Sequence, residues 1–169
     1  MEEWEGMNIG GSLRPHIDAP TVALNRVEAA LRGEAWAGSA SGTFDALYVS
    51  LEDGPAAAVL TSGRIIGGAN HRAGALPAFP ELLSGQPLAG DDLEQAAALL
   101  ADIAVLLDPS VVVIHGPDEH TGPLLPVLQR VLDQVLSGTQ VAPAHFGERA
   151  AVLGAMCAAA TVAYEGLRN

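Results

Sequence analysis

The chain has 169 residues, 49% of them apolar and 4% aromatic, with a formal net charge of −12. That size and apolar content fit one globular domain with its own core and exclude a disordered chain. All eight basic residues are arginines, scattered from Arg14 to Arg168 without a basic patch, so direct binding to a nucleic-acid backbone is not expected.

Met1 to Ile17 is mixed and aperiodic, and is expected to be a poorly structured extension or cloning remnant. Met1-Glu2-Glu3 is acidic where a secretion signal would be basic. Residues 18–169 are expected to form a single lobe. Asp18, as cap, and Pro20, in the first turn, open a predicted first helix. Val22, Leu24, Val27, Ala30 and Leu31 give its apolar face, which runs to Trp36. Glu28 and Glu34 are not neighbours on that helix and are expected to be two exposed acids rather than a pair.

Phe44 to Gly68 is the densest stretch of strand signals. Leu47 to Leu51, Ala56 to Leu60 and Arg64 to Ile66 are predicted strands. Glu52-Asp53-Gly54-Pro55 breaks the first, and Gly63, free to take a positive φ, turns the second. Hairpins of this outline hold phosphates when glycines at the tip let backbone N–H groups approach closely. Here Gly54 sits beside two acids, a proline and three alanines, so the shape is present without that chemistry.

Ala69 to Gly90 is rich in Gly and Pro and predicts a loop, with one helical turn near Pro80 to Leu83. Within it Asn70-His71-Arg72 is the most ligand-like polar cluster of the chain. Asp91 and Asp92 are expected to cap a second helix, to Leu107. Val111 to Ile114 is a continuous apolar run, suited to a strand buried on both faces. Thr121-Gly122-Pro123 is expected to open a third helix, to Leu136. Gln140 to Ala142 is a brief strand, and Phe146 to Leu167 a last helix whose Gly154, Ala155, Ala158 and Ala159 permit close contact with a neighbour.

His115 and His120 flank Gly116-Pro117-Asp118-Glu119. Their spacing with Asp118 matches no strong zinc signature, and no metal or other cofactor is expected. Cys157 is alone, which rules out an internal disulfide, and its alanine-rich setting predicts a buried, inert thiol. The longest uncharged apolar stretch, Ala150 to Tyr164, is too short to span a bilayer, so a soluble cytoplasmic protein without membrane contact is expected.

The predicted order is α-β-β-β-α-β-α-β-α. Three antiparallel strands followed by two strand–helix units make a mixed α/β sheet flanked by helices. That is the ribonuclease-H-like layout of the actin/hexokinase type.

So ordered, the chain resembles the second, C-terminal lobe of the ROK family of repressors, open reading frames and sugar kinases. Leu24-Asn25-Arg26 through Gly33-Glu34-Ala35-Trp36 resembles the family's "N-D-…-G-E-…-W" helix. Leu47 to Gly63 resembles its "G-T-G-I-G-A-G-I-I" hairpin, and Gly67-Gly68-Ala69-Asn70-His71-Arg72-Ala73-Gly74 its "R-G-A-N-G-x-A-G" segment. Leu106-Leu107-Asp108-Pro109 with Val111 to Gly116 resembles its "L-x-D-P-…-I-V-L-G-G" strand, and Ala151 to Ala155 fits its last helix.

The resemblance implies a sugar kinase fold, but the residues it assigns to catalysis differ. The general base of the family falls on Arg26, and a guanidinium cannot accept a proton at neutral pH. The hairpin's "G-T-G" falls on Glu52-Asp53-Gly54, where two carboxylates would repel a nucleotide's phosphates. The sugar-binding glutamate falls on Ala75 and the zinc-binding histidine on Ala78. The zinc loop, the phosphate-binding "D-x-G-x-T" lobe and a helix-turn-helix have no counterpart. Without a catalytic residue, the chain is expected to be a non-catalytic ROK-like domain acting as a regulatory, ligand-sensing or assembly module. The alternatives are a sugar kinase subunit needing a separate N-terminal lobe, and the effector-binding part of a ROK transcriptional regulator. Asn70, His71, Arg72, Gly54, His115 and Gly116 are the candidate ligand residues, for a sugar or sugar derivative. A homodimer is expected, because a lone lobe this apolar should otherwise expose a contiguous apolar patch.

Overall fold

The computed structural model describes residues 11–12, 15–17, 19–52, 55–69, 73–76 and 87–166. Along the chain come α1 (Arg26–Ala37), β1 (Ala46–Ser50), β2 (Ala56–Thr61) and β3 (Arg64–Ile65). Then follow α2 (Gly90–Leu107), β4 (Val111–His115), α3 (Asp118–Val135), β5 (Gln140–Pro143) and α4 (Ala150–Gly166). The strands form one mixed sheet in the order β3-β2-β1-β4-β5. β1 pairs antiparallel with β2 and parallel with β4, and β4 pairs parallel with β5. Element order and sheet are those read from the sequence.

β1 and β4 are buried on both faces because their residues alternate between two cores. Ala46, Tyr48, Val111 and Val113 point to one side, with Val27, Ala30 and Leu31 of α1 and Ala150 of α4. Leu47, Val49, Val112 and Ile114 point to the other, with Ala97 and Leu100 of α2 and Leu124, Leu128 and Leu132 of α3. The β2–β3 turn has positive φ at both Ser62 (50°) and Gly63 (74°). Asp45 supports it: its Oδ1 accepts the Ser62 N–H at 2.8 Å and the Thr61 hydroxyl at 3.0 Å.

The helix starts differ from expectation. α1 begins after Asn25, whose Oδ1 accepts the Val27 N–H at 3.1 Å. Pro20, Val22 and Leu24 precede it, and Asp18 lies outside the described residues. Val22 and Leu24 are two apart, a spacing that shares one side of extended chain and not one face of a helix. Asp91 and Asp92 lie within the first turn of α2, where they favour the helix dipole without capping it. Asp108, at φ 48°, ends that helix, its N–H on the Ala104 carbonyl at 2.8 Å. α3 begins at Asp118, not Thr121, and carries Pro123 and Pro126 inside it. Its buried stripe of Leu124, Leu128 and Leu132 offsets the hydrogen bonds the prolines cannot make. α4 proper begins at Ala150, after a 3₁₀ turn at Gly147–Arg149. The predicted turn near Pro80 lies outside the described residues.

α1 and α4 meet backbone to backbone. A Cβ on Gly154 would lie 1.7 Å from the Ala29 carbonyl oxygen, and one on Gly33 2.3 Å from that of Ala150. Glu34 is not an exposed acid: its residue is 0% exposed. Its Oε2 accepts the Ser39 and His145 N–H groups at 2.8 and 3.1 Å, and its Oε1 the Phe146 N–H at 2.8 Å. One carboxylate thus satisfies three backbone donors and fastens the end of α1 to the loop entering α4. Glu28 is half-buried, and Cys157 is half-buried rather than buried. Among the described residues no helix is long and apolar enough to cross a membrane.

Candidate functional site

β1 and β4 run parallel and end together, with Ser50 opposite His115. The carboxyl ends of adjacent parallel strands are where open α/β sheets place ligands. Here they bound a cavity of about 330 Å³ on the α1/α4 side of the sheet. Strand alternation brings Tyr48 and Ser50 into its wall, the first turn of α1 brings Arg26, and the turn before α4 brings Gly147 and Glu148. Val27, Ala30 and Ala151 add carbon surface. Gly147 takes φ 52°, and a Cβ there would stand 3.9 Å from His115 Cε1.

Three charged or titratable side chains interlock in this cavity. Glu52 Oε2 forms an ion pair with Arg26, and His115 Nε2 donates to Glu52 Oε1 at 2.9 Å. Burial alone would raise the Glu52 carboxyl above its ordinary value. The Arg26 hydrogen bond, the charge of His115 and the charge of Arg26 together outweigh burial and hold it below that value. Tyr48 is shifted the other way. Burial, then the charges of Glu34 and Glu52, push its hydroxyl up, against a smaller opposing pull from Arg26. It therefore stays protonated at neutral pH and can donate a hydrogen bond. Ser50 is 1% exposed, and its Oγ has no hydrogen-bond partner.

Of the predicted ligand residues His115 lines the cavity, and so does Arg26, which holds the position of the base in the resemblance. Gly116 is adjacent, but its part is packing: a Cβ there would lie 2.9 Å from Leu51 Cβ. Gly54, Asn70, His71 and Arg72 lie outside the described residues, as do Asp53 and Ala78. Ala75 forms an antiparallel bridge with Ala56, which places it at the same end of the sheet. His115 and His120 do not converge. His120 is turned to the Leu88 N–H, which donates to its Nδ1 at 3.4 Å, and to Glu119 at 3.9 Å. Among the described residues no group of three His, Cys, Asp or Glu side chains is placed to hold a metal ion.

The sequence reading missed Tyr48, Ser50 and Glu148 as cavity residues. The signal for Ser50 was a hydroxyl inside an otherwise apolar central strand. Glu52 had been set against a nucleotide's phosphates, and its neutralisation by Arg26 and His115 was not foreseen. Those residues lie 26 and 63 positions away along the chain.

No protein-family model matches the sequence, and no curated protein does. Solved structures do match. The chain is similar to a ROK hexokinase from Thermus thermophilus at 23% identity, over 95% of this chain and 73% of that one, with a TM-score of 0.71. It is similar to a putative N-acetylmannosamine kinase from Listeria monocytogenes at 18% identity, over 93% and 71%, with a TM-score of 0.72. A ROK family transcriptional regulator, a homolog of the E. coli MLC protein, matches at 15% identity, over 87% of this chain and 53% of that one, with a TM-score of 0.63. The fold is therefore that of the ROK sugar kinases and regulators, of the actin/hexokinase type. The resemblance seen in the sequence motifs and the likeness of the folds agree.

Proposed function

We propose that this chain is a non-catalytic ROK-like domain that uses the cavity at the ends of β1 and β4 to bind a small ligand, as a regulatory or sensing module. One observation carries the reading. The residue at the resemblance's base position, Arg26, is paired with the residue at the first glycine of its phosphate hairpin, Glu52. A cation stands where a proton acceptor is needed, and its partner carboxylate stands where a phosphate would come. The pair supports loss of both functions together, since each charge stabilises the other in place. The likeness to both kinases and a regulator is compatible with this reading.

The test is phosphoryl transfer from ATP by the purified protein to glucose, mannose and N-acetylmannosamine. No product above the protein-free control is expected, and Arg26→Asp alone should restore none, because Glu52 would still face the nucleotide. Clear phosphorylation by the unaltered chain would overturn the proposal.

We also propose a homodimer. Gly154 and Ala158 make their close contact within the chain: both are buried, Gly154 against α1. The opposite side of α4 exposes Val152, Met156 and Tyr164. Trp36 and Met156 border a groove with Cys157 between the end of α1 and α4. A second copy covering this face is the reading that these neighbouring exposed apolar side chains support. Light scattering at tens of micromolar should give the dimer mass; the monomer mass would defeat it.

A further inference from the structure

We infer that the cavity takes a small hydroxylated ammonium ion rather than a phosphate or other anion. The inference rests on the binding role proposed above and names the chemistry of its ligand.

Among the described residues the charges facing the cavity are Arg26, Glu52, His115 and Glu148. Among them Arg26 is the only arginine in the wall, and it is paired with Glu52. Both Glu52 oxygens are taken, Oε2 by Arg26 and Oε1 by His115. Among the described residues an incoming anion would therefore meet no cation without a carboxylate partner. It could reach the N–H groups of Arg26 that Glu52 leaves free, but it would share that charge with Glu52 and be repelled by its carboxylate. Glu148 is exposed on the turn before α4 and has no partner among the described residues. Among the described residues it is the one charged side chain lining the cavity that has no ion-pair partner, and it is negative. The net charge of −12 acts in the same direction, drawing cations toward the site and repelling anions.

The hydroxyl requirement comes from a different observation. Ser50 Oγ is buried in the cavity wall without a hydrogen-bond partner. Buried hydroxyls are nearly always satisfied, so an orphan in the wall of a cavity marks a place for a ligand's donor or acceptor. Tyr48 belongs to the same wall, and its protonated hydroxyl can donate a hydrogen bond. The volume, about 330 Å³, is at the lower end for small-molecule sites. Val27, Ala30 and Ala151 supply the carbon surface that would lie along the ligand's chain.

The experiment is calorimetric titration of the whole chain with three ligands of one skeleton: 1-amino-1-deoxysorbitol, sorbitol and sorbitol 6-phosphate. The amine should bind about 3–5-fold tighter than sorbitol, the difference one partly screened carboxylate supplies. The phosphate should bind weakest, and the amine's advantage should shrink with added salt. Glu148→Gln should abolish the amine's advantage over sorbitol. Ser50→Ala should weaken amine and sorbitol alike, by about 5-fold. Glu148 is exposed, so its variant stays informative even if Ser50→Ala folds poorly.

Phosphate binding as tight as the amine, or no binding of the amine at millimolar concentration, would overturn the inference. So would a Glu148→Gln protein that keeps the amine's full advantage. The two proposals fail separately. ATP-dependent phosphorylation of any of the three ligands would end the non-catalytic reading, while the charge preference would stand if the amine still bound tightest without ATP. Equal binding of all three by a protein without kinase activity would end the charge preference alone.

Discussion

The two faces of the sheet are closed by opposite means. On the α2/α3 side, Leu100, Leu124, Leu128 and Leu132 fill the space above Leu47, Val49, Val112 and Ile114. Large side chains hold the helices there, and the contact is a matter of volume. On the α1/α4 side the helices touch through backbone at Gly33 and Gly154, and a buried carboxylate, Glu34, ties the following loops together. That contact is a matter of fit, because carbonyl oxygens cannot move aside without breaking helix hydrogen bonds. The cavity lies on this second side. Arg26, from the first turn of α1, and Glu148, from the turn before α4, reach the cavity from this side.

The comparison can be broken most forcefully on the leucine face. Leu128→Ala is expected to cost about 2–5 kcal/mol, from lost burial and the cavity left behind. Urea unfolding should show it as a lower midpoint at unchanged slope. Glu34→Gln comes next, at about 2–3 kcal/mol. An amide has one acceptor oxygen, so its NH₂ would be set against a backbone N–H that now meets a carboxylate. A cost below about 0.5 kcal/mol would mean that Glu34 is not the clamp described.

Gly154→Ala sharpens the contrast, since it adds one carbon where the leucine variant removes three. It should still cost about 1–3 kcal/mol through overpacking against the Ala29 carbonyl. The same change at Gly122, whose added Cβ meets nothing within 4 Å, should be neutral or stabilising, because alanine favours helix. Equal effects at the two glycines would refute the close approach of α1 and α4.

Among the variants that break a contact, the smallest effect is expected at the Arg26–Glu52 pair. Both side chains are partly exposed, at 52% and 27%, so Arg26→Ala should cost no more than about 1 kcal/mol at neutral pH. The Glu52 carboxyl is held below its ordinary value, so its contribution is fully present above the unfolded carboxylate pKa, about 4.3. That contribution is lost as pH falls through the folded value. The difference between Arg26→Ala and the unaltered chain should therefore close in acid, and unfolding curves taken from pH 7 downward would check it. A difference that grows on acidification would contradict the pairing.

Strand identity was legible in the sequence because periodicity reports burial. Val111 to Ile114 has no polar residue to place in water, so it had to be a strand covered on both faces, and it is. The order of elements then left few ways to arrange one sheet, and the mixed sheet followed from connection rules. The turn at Gly63 was legible because it needs a positive φ, although Ser62 shares that conformation only through Asp45. Helix starts were less legible. Asp18 and Asn25 are both good caps, and which one serves depends on where the sheet lets α1 begin packing.

Residue type and local order were enough for the class of fold, for an arginine at position 26 and for the acids that follow β1. Tertiary structure alone decided that Glu34 is a buried clamp, that Gly154 is spent against α1, and that Arg26, Glu52 and His115 form one linked group. The physical reason is that burial, hydrogen-bond partners and charge compensation belong to pairs of residues. Glu34 meets its partners on Phe146 and His145 112 and 111 positions away, a separation that no local pattern of apolar spacing, capping or turn residues encodes.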